Sequence, residues 1–376
     1  MGVFVKHGQN KLKYIVKRQI LMYTVFSDIC VFHNFNEVFK MKIVVDIYGG
    51  DHSPHELVKG CVMALNQNKE ISLVLVGNQQ EIEGLLKQEK YDASRVEFVD
   101  AQDVITCHDV PTMAIRSKKE SSLVKALDKT KADPDCIGMV SAGSTGAVLT
   151  GALLRIGRIK GISRPALAPV LPTLTGGHAL LIDCGANVDC KPNMLEQFAL
   201  MGNAYMKAVY GIENPRVGLL CNGTEDEKGN QLVKETFPLL KQLPINFVGN
   251  MEARDITSGE YDVIVADGFA GNVALKASEG IATTMLKMIK AEIYSSLKTK
   301  IAGAMLKKSF GKIRNLMDYN QNGGAPFIGV EKLVIKSHGS SKAKSICGSI
   351  MQVYEMHKSD LIGKIKASLD QVKVEE

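Results

Sequence analysis

Short, continuous apolar runs that alternate with helix-length segments constrain this chain more than any other feature. Ile43–Asp46 is followed by the segment 54–66, Ile71–Gly77 by 81–90, Cys136–Ser141 by 147–158, and 217–222 by 229–242. A strand buried on both faces reads as an unbroken apolar run, and helices on both sides of a parallel sheet provide that burial. The pattern predicts an α/β fold with a mostly parallel sheet and flanking helices.

Four of the runs end in small, polar turns: Gly49-Gly-Asp51, Ser141-Ala-Gly-Ser-Thr-Gly146, Asp183-Cys-Gly-Ala-Asn187 and Asp267-Gly-Phe-Ala-Gly-Asn272. Each glycine on its own is explained by a tight strand-to-helix connection. Together, at the carboxyl ends of parallel strands, such turns point to one site assembled from several loops. Small residues let backbone N–H groups come close to a phosphate, so the expected ligand is an anion.

The formal charge of +6 is a poor guide to partners. Residues 1–40 hold six Lys/Arg against two Asp/Glu, a net +4 that leaves +2 for the other 336 residues. No nucleic-acid partner is expected from so weak a bias. The eight cysteines are scattered without a C-x-x-C pair, which fits a reduced, cytoplasmic chain with no structural metal.

Composition changes at Met41. Seven of the 22 Phe and Tyr residues fall within residues 1–40, after which Lys42-Ile-Val-Val-Asp46 opens the first strand pattern. The apolar run Ile20–Phe26 is too short for a membrane span and is followed by Asp28, without a cleavage pattern of small residues. Residues 1–40 are therefore expected to be an extension outside the natural protein, with an amphipathic membrane-touching arm as the alternative; residues 41–376 form the catalytic domain.

Within that domain, residues from about 281 to 319 change to two long helical segments expected to meet near 300–306, a projecting helical hairpin. Its apolar Ile301, Ala302, Met305 and Leu306 are bracketed by lysines, and between Lys287 and Arg314 eight Lys/Arg face one acid, Glu292. This pattern suits an anionic bilayer surface, a subunit interface or a solvated helix face.

The chain contains no G-x-G-x-x-G after a strand, no G-x-x-x-x-G-K-[ST] and no G-x-S-x-G elbow. Nucleotide and hydrolase readings therefore lack their usual marks. The segment Gly223-Thr-Glu-Asp-Glu-Lys-Gly-Asn230 places Lys228 beside three carboxylates after a strand. Lys228 reads either as a surface lysine or as an ammonium for phosphate or a developing oxyanion.

Taken together, the segments 45–54, 116–122, 141–147, 164–165, 183–192, 223–230, 267–272, 323–326 and 338–341 resemble, in order, the acyl-acyl-carrier-protein:phosphate acyltransferases of bacterial phospholipid synthesis. The resemblance implies a fold related to phosphotransacetylases and isocitrate-dehydrogenase-like enzymes. It implies transfer of a fatty acyl group from acyl carrier protein to inorganic phosphate, by a homodimer on the cytoplasmic membrane surface that uses no cofactor. A membrane glycerol-3-phosphate acyltransferase is the implied downstream partner. Ile47-Tyr48, Ser144 and Cys221-Asn222 depart from the residues usual in the family.

The family motifs implicate Lys228 and Asn272 in acyl transfer. Lys228 is expected to meet phosphate and oxyanion charge, and Asn272 to donate a hydrogen bond at the reacting carbonyl. Ser141, Ser144, Thr145 and Asn187 are candidates for phosphate binding, and His52 is either a proton donor or a structural partner of Asp51. The alternatives are a phosphotransacetylase using short acyl-coenzyme A, a non-catalytic membrane-surface scaffold, and a decarboxylating dehydrogenase needing nicotinamide and a divalent metal. If Met41 is the natural start, mass spectrometry of the protein from its own cell will find no peptide from residues 1–40.

Overall fold

The computed structural model describes residues 41–311 and 323–374. The expected extension, residues 1–40, and the last part of the expected hairpin, residues 312–319, lie outside the described residues.

The first sheet is built from β1 (Met41–Asp46), β2 (Ile71–Gly77), β3 (Val96–Asp100), β4 (Cys136–Ser141) and β5 (Ala166–Leu167). The chain then builds the second from β6 (Val170–Pro172), β7 (His178–Ile182), β8 (Arg216–Cys221), β9 (Asn246–Glu252) and β10 (Val263–Val265), and returns to the first with β11 (Ala325–Ile328) and β12 (Leu333–Lys336). The seven-stranded sheet runs β3-β2-β1-β4-β12-β11-β5 and the five-stranded sheet β6-β7-β10-β8-β9. Pairing is parallel except where β11 meets β12 and β5, and where β6 meets β7.

Interior strands explain the continuous apolar runs. β1 has a parallel neighbour on each side, and Ile43, Val44 and Val45 are fully buried. Ile71–Gly77 and Cys136–Ser141 form strands at the predicted bounds.

The helices are α1 (His55–Gln67), α2 (Gln79–Leu86), α3 (Pro111–Ser117), α4 (Ser122–Ala132), α5 (Thr145–Gly151), α6 (Pro192–Tyr210), α7 (Gln231–Gln242), α8 (Gly268–Ile293), α9 (Leu297–Met305), α10 (Ala343–Lys358) and α11 (Leu361–Val374). Their starts follow local capping. Asn78, Ser144, Asn230 and Asp267 each accept a backbone N–H from the first turn of α2, α5, α7 and α8. For this reason α7 starts at Gln231 rather than at Gly229, which has a left-handed φ of 106°.

α6 buries its apolar residues most completely, with Phe198, Met201 and Tyr205 all at 0% exposure. It packs on β7, β10, α7 and α11 and so ties the second sheet to the C-terminal helices. Tyr205 Oη accepts a hydrogen bond from Gln352 of α10 at 3.3 Å.

α8 departs from the expected hairpin. Rather than starting near 281 it runs unbroken from Gly268, and only Gly268, Gly271 and Leu275 are buried, so its later turns stand away from the body. The chain reverses at Tyr294–Ser296, not near 300–306. There Ser296 and Thr299 form a reciprocal capping box that starts α9. α9 folds back far enough to bring Gly303 against Ile293.

Replacing Phe198 with Ala should destabilise the fold by about 3–5 kcal/mol, because the void sits at a fully buried position of the core. Denaturant unfolding of Phe198→Ala against wild type measures it, and a loss under about 1 kcal/mol would contradict the packing described.

Candidate active site

The carboxyl ends of strands from both sheets converge on one cavity. In the first sheet the register sets Asp46 of β1, Ser141 of β4 and Lys336 of β12 side by side in a single row. In the second, Ile182 of β7 pairs with Val265 of β10, so the loops that follow these two strands are neighbours.

Two buried carboxylates hold these loops. Asp46 accepts from Ser141 Oγ at 2.7 Å and from Tyr48 N at 3.4 Å. Ser141 Oγ also accepts from Gly143 N at 3.1 Å within its own loop, so the bond to Asp46 ties that loop to the end of β1. Asp183 accepts from the backbone N–H groups of Leu167 (2.8 Å), Ala186 (3.2 Å) and Asn187 (2.6 Å) and from the Asn187 amide (3.0 Å). Burial raises the pKa of both carboxyls, and the donated hydrogen bonds oppose that rise.

The loops meet too closely for side chains at two glycines. A Cβ on Gly49 would stand 2.5 Å from Gly143 N, and one on Gly271 would stand 2.0 Å from Asp183 O. The four turns therefore form two pairs, the first with the second and the third with the fourth.

A cavity of about 320 Å³ lies where the pairs face each other. Its polar wall includes Thr145, Asn272, Lys276, Glu279, Lys336 and His338, and its apolar wall includes Leu167, Val170 and Leu275. Asn272, Leu275, Lys276 and Glu279 share one face of α8 by their i, i+3, i+4 and i+7 spacing. Lys276 is paired with Glu279 at 2.8 Å.

Lys336 differs from Lys276. Only 9% exposed, it forms no ion pair among the described residues and donates to the carbonyl oxygens of Ala142 (3.5 Å) and Ser337. Its pKa is pulled down to about 8, chiefly by burial, with the Asp51 charge opposing and the Lys276 charge adding to the fall. His338 holds Ser340 Oγ at 2.8 Å through Nδ1. Partial withdrawal of its ring from water, with the charges of Lys336 and Lys276, lowers its pKa below the usual imidazole value.

Nothing in the wall resembles an activated nucleophile. Cys184 lines the cavity, but burial pushes its thiol well above the usual value, which disfavours the reactive thiolate. Among the described residues no three His, Cys, Asp or Glu side chains are grouped to hold a metal ion.

The expected site residues divide sharply. Asn272 and Thr145 line the cavity. Ser141 is committed to Asp46, and Ser144 caps α5 through Ala147 N at 3.3 Å. Asn187 braces its own loop and lines a separate, open hollow with Arg164 and Lys191. His52 and Lys228 are exposed and outside the cavity wall. Ile301, Ala302, Met305 and Leu306 are all exposed on and just beyond α9, with Met305 at 81%.

With this geometry established, comparison with known proteins decides the family. The sequence profile described as "Fatty acid synthesis protein" matches residues 41–364. A phosphate acyltransferase of Clostridium perfringens (strain SM101) is 48% identical over 330 residues, covering 88% of this chain and 97% of that protein. One from Dictyoglomus turgidum is 46% identical over 333 residues, covering 88% and 98%. The chain belongs to the phosphate acyltransferase family.

Solved structures agree on the architecture. The EutD phosphotransacetylase of Staphylococcus aureus superposes with a TM-score of 0.55 at 15% identity over 85% of this chain and 94% of that one. A phosphotransacetylase from Streptococcus pyogenes gives 0.55 at 17% identity over 86% and 94%. At these identities the likeness concerns the fold. As a phosphate acyltransferase family member the chain is an acyltransferase of lipid biosynthesis.

Lys276, Glu279 and Lys336 were not anticipated as site residues. The signal for Lys336 was a lysine closing the apolar strand Leu333-Val-Ile, directly before Ser337-His338-Gly339. For Lys276 and Glu279 it was their helical spacing from Asn272.

Ser141→Ala removes the hydroxyl donor to buried Asp46 and should cost about 1–3 kcal/mol at neutral pH. The hydroxyl favours the ionised carboxylate, so the cost should shrink as pH falls through the raised pKa of Asp46. Denaturant unfolding of both proteins across pH checks the sign; a cost that grew toward acid pH would refute it.

Proposed function

We propose that this chain transfers a fatty acyl group from acyl-acyl carrier protein to inorganic phosphate, forming acyl-phosphate for phosphatidic acid synthesis. The observation that carries this reading is the cavity itself. It offers an amide, two ammonium groups and an imidazole beside apolar side chains at the ends of the strands, with no activated nucleophile. Relatives named phosphate acyltransferase share 46–48% identity with the chain.

The chemistry requires little more than these groups. An oxygen of hydrogenphosphate attacks the thioester carbonyl carbon, a C–O bond forms and the C–S bond breaks. The proton of hydrogenphosphate ends on the departing thiolate, so acyl-phosphate and free thiol balance the reactants in atoms and charge. Phosphate is largely ionised at neutral pH, its second pKa being roughly 6 by analogy with phosphoserine, and needs little general-base help. A thiol of pKa about 8.5 leaves more readily than an alcohol. Binding two reactants together and stabilising the tetrahedral oxyanion are then the main tasks.

In this reading Asn272 donates its amide hydrogen bond to the thioester carbonyl oxygen as negative charge develops there. Thr145 supplies a hydroxyl to the phosphate. The exposed apolar side chains of α8 and α9, among them Met288, Leu297, Ile301 and Met305, are assigned to peripheral contact with a cytoplasmic membrane surface. Among the described residues no helix is long and apolar enough to cross a membrane. A homodimer and a membrane glycerol-3-phosphate acyltransferase as acceptor of the product complete the proposal.

Incubating the protein with phosphate and palmitoyl-acyl carrier protein or palmitoyl-coenzyme A, and trapping product with hydroxylamine, tests the reading. Phosphate-dependent hydroxamate should form preferentially from the carrier-protein donor; preference for coenzyme A would refute the donor assignment. Asn272→Ala should lower turnover by roughly 10²-fold, as loss of one oxyanion donor typically does. Lys228→Ala separates the lysines in the same assay. An equal loss would bring the β8–α7 loop into the mechanism, whereas near-normal turnover leaves charge neutralisation to the lysines lining the cavity.

A further inference from the structure

We infer that Lys336, at the end of β12, is the cation that binds the phosphate in this cavity. The inference rests on the reading of inorganic phosphate as acyl acceptor. It adds a residue that neither the sequence motifs nor the reaction chemistry had singled out.

The geometry has three parts. Lys336 lies in the row with Asp46 and Ser141, but the Asp46 carboxylate is directed to Ser141 Oγ, so the row supplies Lys336 with no ion-pair partner. Its Nζ donates to two carbonyl oxygens, and an ammonium has three donors, so one N–H remains for a ligand. The side chain lines the cavity together with Thr145, Asn272 and His338. A cation held away from water without a carboxylate is costly. An anion entering the cavity offsets that cost and strengthens the interaction through the same low local polarity.

Lys276 is less suited to this role because Glu279 already neutralises it. The two together place no net charge on the α8 wall. Lys336 therefore supplies the uncompensated positive charge that a phosphate would meet.

The pH behaviour follows. The charged groups facing Lys336 are Asp51 from the loop after β1, Lys276 and Glu279 from α8, and His338 beyond β12. Tyr210 at the end of α6 is pushed up to about 12, and burial raises Cys184, whereas His338 is shifted below its usual value. Lys336, at about 8, is thus the wall group carried into the mildly alkaline range. Hydrogenphosphate favours the ammonium form, so binding above pH 8 should draw a proton onto the protein.

The decisive experiment has two arms on the full chain. In the first, Lys336→Met should raise KM for phosphate by roughly 10–100-fold, the usual effect of losing a charge-assisted hydrogen bond, while KM for the acyl donor stays within about twofold. In the second, calorimetric titration of the wild-type chain with inorganic phosphate at pH 8.5, in buffers of different ionisation enthalpy, should show proton uptake. Unchanged phosphate KM in a folded Lys336→Met protein overturns the assignment, and so does wild-type binding without proton uptake. If Lys336→Met does not fold, Lys336→Arg decides: its guanidinium stays charged at pH 8.5, so phosphate binding without proton uptake is expected, and uptake equal to that of wild type overturns the assignment. If wild type makes no acyl-phosphate from either donor, the functional reading fails. Phosphate binding with proton uptake would then still support Lys336 as an anion site, and absence of binding would overturn both.

Discussion

Two carboxylates buried at strand ends, Asp46 and Asp183, hold the loops from which the rest of the site is built. Each is fully withdrawn from water, and each is tolerated because neighbouring backbone or hydroxyl donors converge on it. Asp46 draws in the β4–α5 loop through Ser141, and Asp183 fixes its own loop and the strand at Leu167. The glycines then let the paired loops close to distances that no Cβ would permit. Rigidity in the wall therefore arises from polar groups that never touch the ligand space.

This division explains which parts of the site were legible in the sequence. Strand cores and Gly-rich turns are local patterns, and β2 and β4 run at the bounds their apolar runs imply. The convergence of four turns was also legible, because parallel strands put their carboxyl ends on one edge. Which polar residue of each turn faces the cavity was not. Ser141, Ser144 and Asn187 look like ligand donors in a one-dimensional reading; Ser141 and Asn187 donate to buried carboxylates, while Ser144 accepts from a helix N–H and keeps its own O–H. Hydroxyls and amides at strand-to-helix turns satisfy the backbone first, and only three-dimensional pairing reveals which are spare.

Lysines show the same limit from the other side. Lys228 was conspicuous because glycine, asparagine and acids surround it in sequence, but it faces solvent. Lys336 was inconspicuous because it closes an apolar strand, yet the pairing of β12 with β4 buries it in the cavity wall. The register of one strand pair, set by residues 195 positions apart, decides its environment. The hairpin turn was misplaced for a local reason: the reciprocal Ser296–Thr299 cap offers a stronger helix start than the lysine-rich apolar stretch that follows it.

α8 joins the two chemically distinct regions of the molecule. Its first turns are pinned by the Asp267 cap and by the close approach of Gly271 to Asp183, which fixes the position of Asn272. The helix, 26 residues in all, continues without a break, carrying Lys276 and Glu279 on the cavity side before its later turns leave the body and expose Ile281, Met285 and Met288. A continuous helix transmits orientation along its axis far better than a loop would. The cavity wall and the apolar projecting face are thereby parts of one rigid element. The separation is physical: the buried end is packed tightly enough to fix the Asn272 amide in the cavity wall, and the later turns present apolar side chains where no described residue of the body covers them.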